Sequence, residues 1–141
     1  LGLPGLVAAL KGGLVTFSDY KRESLDIIAR NAQRNGIRHA AYLLADWRDF
    51  RCDKKFDWII GSDVLYNPSL NPYVARILER NLAKGGQLLF AHPSRPVTMR
   101  FLDEIKGSLG LKEEKTVQLV TVKEPGVPEF NQGIDIHHLT K

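Results

Sequence analysis

Short apolar runs alternate with amphipathic segments along most of the chain. A first, small apolar segment, Leu3–Leu10, predicts a helix that ends at the glycine pair after Lys11. Four apolar runs predict buried strands, which are Leu14–Ser18, Ala40–Ala45, Phe56–Ser62 and Gln87–His92. Apolar residues at spacings of three and four predict three further helices, from Asp19 or Tyr20 to Arg34, from about Pro72 to Gly85, and from about Val97 to Leu109.

The end of the chain has a different pattern. Lys115–Lys123 and Ile134–Leu139 are strand-like, and no helical segment separates them. The stretch from Glu124 to Gly133 contains Pro and Gly and predicts a long hairpin loop. Alternating strands and helices predict a parallel sheet covered on both faces, and the final pair predicts an antiparallel edge. The expected fold class is a doubly wound α/β fold with an antiparallel terminal hairpin.

Composition narrows the class of protein. The 141 residues are 43% hydrophobic and 26% charged, which is typical of one folded domain. The longest apolar run, Leu1–Leu10, is too short for a membrane span and lacks the charged start of a signal peptide. A single cysteine, Cys52, excludes an intrachain disulfide framework and a multi-cysteine metal site. We therefore expect a cytoplasmic protein without a membrane partner, and the net charge of +4 leaves an RNA partner open.

Several chemically useful residues follow predicted strands, where open α/β sheets bind ligands. Asp19 comes 17 residues after Gly2, a spacing that suits a carboxylate on ribose hydroxyls, although Asp19 could instead cap the next helix. Gly2 would let the backbone approach a ligand closely. Asp46 could accept from a purine amino group beside the flat ring of Trp47, or it could cap a turn.

Asp63 and Tyr66 form an Asp-x-x-Tyr element directly after the apolar strand Phe56–Ser62. A carboxylate at such a place loses hydration unless it has a partner, so the position is often functional. The alternative is that Asp63 caps a turn and Tyr66 packs over it. His137 and His138 should point to opposite faces of a strand, and no metal site is predicted.

These motifs resemble the class I, seven-β-strand S-adenosylmethionine-dependent methyltransferases, and within them methyltransferase family 16. The resemblance rests on LGLPGLVAALKGGLVTFSDY, LADWRDF and FDWIIGSDVLYNPSL, and its most specific element is Asp63-Val-Leu-Tyr66. It implies a Rossmann-like fold. The family's glycine-rich cofactor element and its first, central strand should lie before Leu1, so we expect residues 1–141 to be a single, N-terminally incomplete methyltransferase domain.

The resemblance also implies chemistry. The cofactor would be S-adenosyl-L-methionine, with S-adenosyl-L-homocysteine as the product. The substrate would be a protein side-chain nitrogen, expected to be lysine, because this family is rich in protein-lysine methyltransferases. The implied catalytic residues are Asp63 and Tyr66. The implied cofactor-binding residues are Gly2, Leu3, Asp19, Tyr20, Asp46, Trp47 and Ser62.

Three different functions stay open at this point. Asp19 would also suit a nicotinamide-dependent oxidoreductase, although none of the four tyrosines begins a Tyr-x-x-x-Lys pair. A methyltransferase acting on RNA, DNA or a small molecule would share the fold, although Ser62–Tyr66 lacks the proline pair of the amine-directed nucleic-acid enzymes. A non-catalytic relative that binds only the cofactor or a protein is the third.

Overall fold

The computed structural model describes all 141 residues, which form four α-helices, two short 3₁₀ helices and six strands. The chain divides into two compact units, Leu1–Cys52 and Asp53–Lys141. The prediction of one domain stays a prediction. None of the helices combines the length and the apolar character that crossing a membrane requires. The helices are α1 Leu3–Leu10, α2 Arg22–Arg34, α3 Asn71–Asn81 and α4 Pro96–Leu109, and the strands are β1 Val15–Asp19, β2 Ala40–Leu44, β3 Phe56–Ser62, β4 Leu82–His92, β5 Lys112–Val122 and β6 Phe130–Thr140.

The first unit is a two-stranded parallel sheet with two helices. Strands β1 and β2 pair from Val15↔Ala40 to Asp19↔Leu44. The apolar face of α2 supplies most of the core, as its spacing predicts, because positions three and four apart share one side of a helix. The buried core consists of Leu6, Phe17, Leu25, Ile28 and Ala32.

The second unit contains a four-stranded sheet in the order β3-β4-β6-β5. Strands β3 and β4 are parallel, whereas β6 pairs antiparallel with both β4 and β5. Leu88 and Phe90 of β4 and Leu139 of β6 are buried in the core, as are Phe101 and Leu102 of α4. The predicted α/β class, with parallel strands followed by an antiparallel terminal hairpin, is confirmed.

Three predicted boundaries are wrong. Helix α2 starts at Arg22, because Asp19 is still part of β1 and its carboxylate accepts from the backbone N–H of Lys21. Helix α3 ends at Asn81, whose side-chain amide donates to the carbonyl of Lys54 at 2.8 Å. Strand β4 therefore begins at Leu82, and its pairing with β3 skips from Leu82 to Gln87.

The terminal hairpin is longer than predicted. Strands β5 and β6 pair without interruption from Lys112↔Thr140 to Val122↔Phe130. The connecting loop is therefore residues 123–129 rather than Glu124–Gly133. Backbone pairing along the whole hairpin extends the strands through residues whose side-chain pattern is too polar to predict a strand.

Candidate active site

In the first unit, Asp19 is the last residue of β1, and Asp46 comes shortly after the end of its parallel partner β2. The backbone N–H of Ala45 donates to the carbonyl of Asp19 at 3.0 Å, which brings the two strand ends to one edge. The Asp19 carboxylate is half-buried, and its Oδ1 accepts from the backbone N–H of Lys21 at 2.8 Å. Its Oδ2 has no protein donor, so it is available to a ligand hydroxyl.

Asp46 is engaged by its own neighbour. Its carboxylate caps the 3₁₀ helix Trp47–Asp49 by accepting from the backbone N–H of Arg48 at 2.9 Å. The Arg48 guanidinium donates to both carboxylate oxygens, through Nε at 3.0 Å to each and through Nη2 at 2.5 Å to Oδ2. These hydrogen bonds lower the pKa of Asp46 to about 2. Capping of a turn therefore describes Asp46 in this structure, and a ligand amino group would have to share the carboxylate with Arg48.

Gly2 precedes α1 in a left-handed conformation, with φ of 71°. A Cβ atom at this position would lie 2.9 Å from Cδ1 and Cγ1 of Ile28, so both the backbone angle and the packing require glycine. The side chains of Leu3 and Tyr20 are 67% and 65% exposed. They have no role in the core of this unit and are accessible to a ligand.

In the second unit, β3 ends in a sharp turn at Ser62 and Asp63. The backbone N–H of Asp63 donates to the carbonyl of Ala91 at 2.7 Å, and Asp63 adopts the left-handed region, with φ of 48°. Non-glycine residues rarely adopt this conformation, and it persists where the surrounding contacts hold it. The turn presents the exposed Ser62 and the half-buried Asp63 beside the end of β4.

Arg95, just before α4, clamps the Asp63 carboxylate. Its Nε donates to Oδ1 at 2.6 Å and its Nη2 donates to Oδ2 at 2.8 Å, with both side chains about 40% exposed. The Arg95 hydrogen bonds hold the pKa of Asp63 below its usual range, so the carboxylate is ionised at neutral pH. Arg95 was not identified from the sequence. Its position shortly after β4 could have indicated it, because β4 pairs with β3 and the two strands end side by side.

Tyr66 is 61% exposed, whereas the preceding residue, Leu65, is buried. The Thr98 hydroxyl donates to the Leu65 carbonyl at 3.1 Å and so ties the turn to α4. The Tyr66 phenol lies close enough to Arg95 to contribute to the raised pKa of that guanidinium, whose main cause is the hydrogen bond to Asp63. The turn thus presents an accessible aromatic ring near an ionised, fixed carboxylate.

Sequence reasoning also missed a buried histidine pair behind this turn. His92, the last residue of β4, and His137 of β6 face each other with their Nε2 atoms 2.9 Å apart. His138 lies on the other face, as predicted, with its ring stacked on Trp58. The side chains of His92, Asp135 and His137 have candidate ligand atoms within 4.8 Å of one another. The predicted lack of a metal site stays a prediction.

The fold of this chain is similar to those of solved methyltransferases. An N-methyltransferase, NodS from Bradyrhizobium japonicum, solved in complex with S-adenosylhomocysteine, superimposes with a TM-score of 0.61 at 20% identity, over 89% of this chain and 65% of that one. A putative methyltransferase from Bacillus halodurans superimposes with a TM-score of 0.67 at 17% identity, over 97% and 88% of the two chains.

The family is identified by sequence. Residues 1–108 match the family model described as lysine methyltransferase, which is methyltransferase family 16. The chain belongs to this family, and the resemblance drawn from its motifs is confirmed. A histidine protein methyltransferase 1 homolog from Dictyostelium discoideum is 33% identical in an alignment of length 96 that covers 64% of this chain. The match spans about a third of that relative, 31% of its length.

Proposed function

We propose that this chain belongs to an enzyme that transfers a methyl group to a side-chain nitrogen of a protein. The observation that carries the proposal is the ionised Asp63 carboxylate, fixed by Arg95 at the end of β3 and followed three residues later by the exposed Tyr66. Family membership and a protein methyltransferase among the relatives support it. The predicted cytoplasmic location remains part of the proposal.

The cofactor assignment is supported by the chemistry of the residues in the first unit. S-adenosyl-L-methionine supplies a methyl group on an electrophilic sulfonium. In the proposal, Asp19 binds the ribose hydroxyls, and the Gly2 backbone contacts the methionine part of the cofactor. The unpartnered Oδ2 of Asp19 and the left-handed Gly2 fit these roles. Leu3, Tyr20, Asp46, Trp47 and Ser62 are the further proposed contacts.

Asp63 suits orientation of a nitrogen nucleophile better than removal of its proton. A carboxylate whose pKa is lowered is a weak base, but it remains a charged hydrogen-bond acceptor. In the proposal, Asp63 accepts from an N–H of the target side chain, and the exposed Tyr66 ring lines its approach. The protein then contributes mainly alignment of the two reacting centres and exclusion of water.

Lysine, the target expected from the sequence, is supported by the description of the family model. A free lysine amine has a pKa of about 10.4, so it must lose a proton to another acceptor before it can attack. Histidine is the second candidate, because the Dictyostelium relative is named for it. The protonated imidazole has a pKa of about 6.5, so most histidine side chains are neutral at pH 7 and already carry a lone pair. Such a nucleophile needs no base to remove a proton before it attacks, and it therefore suits the weakly basic Asp63.

The test is methylation of a lysate from cells that lack this gene, with the full-length protein and isotopically labelled S-adenosylmethionine. We expect label in protein, and acid hydrolysis with mass spectrometry then separates methyllysine from methylhistidine. Asp63→Asn should lower the labelling at least tenfold, whereas Asp57→Asn, an exposed carboxylate on the same strand, should not. Label confined to nucleic acid or small molecules would contradict the proposal.

Ligand binding separates a methyltransferase from an oxidoreductase and from a non-catalytic relative. S-adenosylhomocysteine should raise the melting temperature of the full-length protein, because a ligand that binds only the folded state stabilises it. NADH should leave it unchanged. Stabilisation by NADH instead would favour the oxidoreductase, and stabilisation by S-adenosylhomocysteine without any methyl transfer would favour a non-catalytic relative.

A further inference from the structure

The hydrogen bonds around His92 assign its tautomer. The backbone N–H of Arg95 donates to Nδ1 of His92 at 2.9 Å, so Nδ1 must offer a lone pair. The proton of the neutral ring is therefore on Nε2, which faces Nε2 of His137 at 2.9 Å. The planes of the two rings are nearly parallel, at 4°, and His92 is only 2% exposed. His92 thus donates to His137.

His137 continues the same direction of donation. It accepts at Nε2, so its own proton is on Nδ1, which donates to Oε1 of Glu113 at 2.5 Å. The other oxygen of Glu113 accepts from Lys106 Nζ at 2.6 Å. Burial raises the pKa of Glu113, but the hydrogen bonds from Lys106 and His137 outweigh it and keep the carboxylate charged. Glu113 therefore fixes the tautomers of both rings.

This chain of hydrogen bonds ends at the residue that clamps Asp63. The segment between His92 and Arg95 is constrained, since Ser94 adopts a left-handed conformation with φ of 47°. Such a backbone needs tethers, and besides the side-chain hydrogen bond from Ser94 to Asp135, two of them end on His92. One is the bond from the Ser94 N–H to the His92 carbonyl at 2.9 Å, and the other is the bond from the Arg95 N–H to His92 Nδ1.

We propose that His92 is a positioning residue for Asp63: its neutral Nδ1 holds the backbone of Arg95, whose guanidinium holds the Asp63 carboxylate. This inference rests on the proposed function for its catalytic consequence, although the positioning itself is a structural property. His92 touches neither substrate nor cofactor in this scheme. It acts through Arg95 on the orientation of Asp63.

Any proton added to the histidine pair removes the acceptor for Arg95. If the proton binds His92, both of its ring nitrogens carry hydrogen. If it binds His137, then His137 donates at Nε2, and His92 must accept there and carry its own proton on Nδ1. The pair therefore releases the Arg95 backbone in acid, whichever ring is protonated.

The charged groups around His92 influence the pH at which the ring takes up a proton. The groups that face His92 are Asp63 and Arg95 beside it, His137 and Asp135 on β6, and Lys115 on β5. Burial, followed by His137, lowers the pKa of His92 below its usual value. His92 itself is therefore neutral at neutral pH and takes up a proton only below its usual range.

The same tautomer argues against a cation between the two rings. A cation bound to both Nε2 atoms would need the proton of His92 on Nδ1, where Arg95 donates instead. The two Nε2 atoms are instead 2.9 Å apart, the distance of a direct hydrogen bond between the rings.

Two substitutions of His92 distinguish the role of its Nδ1 atom from that of its Nε2 atom. In His92→Asn the amide oxygen lies near the place of Nδ1 and can still accept from Arg95. In His92→Gln the amide reaches the place of Nε2 and keeps the contact with His137, but the acceptor for Arg95 is lost. His39→Gln, at an exposed histidine of the first unit, is the matched control.

The first measurement is independent of activity and uses the full-length protein. Nitrogen-15 NMR at pH 7.5 should show His92 with its proton on Nε2. Solvent exchange of the Arg95 Nε–H should be about tenfold faster in His92→Gln than in wild type or His92→Asn. Equal exchange in the two variants, or a proton on Nδ1, would overturn the proposal.

The second measurement is methyl transfer to the substrate identified above. We expect kcat to be about tenfold lower in His92→Gln than in His92→Asn, with KM for the cofactor unchanged. The wild-type kcat should fall in acid, and this decline should be weaker in His92→Asn, whose amide does not titrate. An equal loss of kcat in the two variants would show that the bond from Arg95 to His92 Nδ1 does not affect catalysis. If the NMR results hold and no substrate is methylated, the positioning stands and the proposed function fails.

Discussion

Substitution of Gly61 by alanine tests the packing beneath the Asp63 turn. Gly61 is buried in β3, and Val64 of the turn that follows lies against it. A Cβ atom at Gly61 would lie 2.6 Å from Cγ2 of Val64 and 2.8 Å from the Phe90 ring carbons Cδ1 and Cε1. Glycine thus permits the close approach of the turn that carries Asp63.

The expected loss of stability in Gly61→Ala depends on which neighbouring side chains must move to make room for the added methyl group. Val64 would have to retreat by about 0.8 Å to reach ordinary van der Waals contact. Val64 is β-branched and stiff at its first torsion, and the Phe90 ring is 3% exposed in a packed core. Neither neighbour is the loose end of a flexible side chain. Overpacking of this kind costs about 1–3 kcal/mol of unfolding free energy.

Urea unfolding followed by circular dichroism measures the loss, and thermal melting should show a midpoint lower by roughly 3 °C per kcal/mol. Gly107→Ala is the matched control, because Gly107 is exposed in α4 and its Cβ would meet no atom within 4 Å. Helix propensity alone should make that variant more stable by about 0.5–1 kcal/mol. If Gly61→Ala were as stable as wild type, the packing argument would be refuted.

Three further predictions concern the strand ends. Asp63→Asn should lower the free energy of unfolding by about 0.5–1 kcal/mol at neutral pH, a value discounted for partial exposure. Because the pKa of Asp63 is lowered in the folded state, wild type should lose this advantage as the pH falls below about 3.8. An equal difference between the two proteins at pH 2 and pH 7 would contradict this prediction. Carbon-13 NMR should give Asp46 a pKa of about 2 that rises towards 3.8 in Arg48→Gln; an unchanged value would exclude Arg48 as the cause. Thr98→Val should lower unfolding free energy by about 1 kcal/mol in urea titrations, because the Leu65 carbonyl loses a buried donor; no loss would mean that this bond contributes nothing.

The elements of the fold were predictable where a local pattern specifies them. The run Phe56–Ser62 was predicted to its end residues, because a buried strand requires a continuous apolar run between polar segments. The end of α3 was not predictable, because it depends on the bond from Asn81 to Lys54, 27 residues away. The length of the terminal hairpin likewise depends on backbone pairing, which no side-chain pattern records.

The sequence by itself determined the family and the positions of most candidate site residues. It did so because a strand end, an Asp-x-x-Tyr element and a glycine turn are all local features of the chain. It also determined that Asp63 needs a partner, since a carboxylate at the end of a buried strand must recover its lost hydration.

Only the tertiary structure decided what that partner is and what holds it. Arg95 lies 32 residues from Asp63, and His137 lies 45 residues from His92, so no spacing along the chain relates them. Parallel pairing of β3 with β4 and antiparallel pairing of β4 with β6 bring these side chains together. Their hydrogen bonds then fix one charge state for Asp63 and one tautomer for His92, which are properties of the packed site and not of either residue alone.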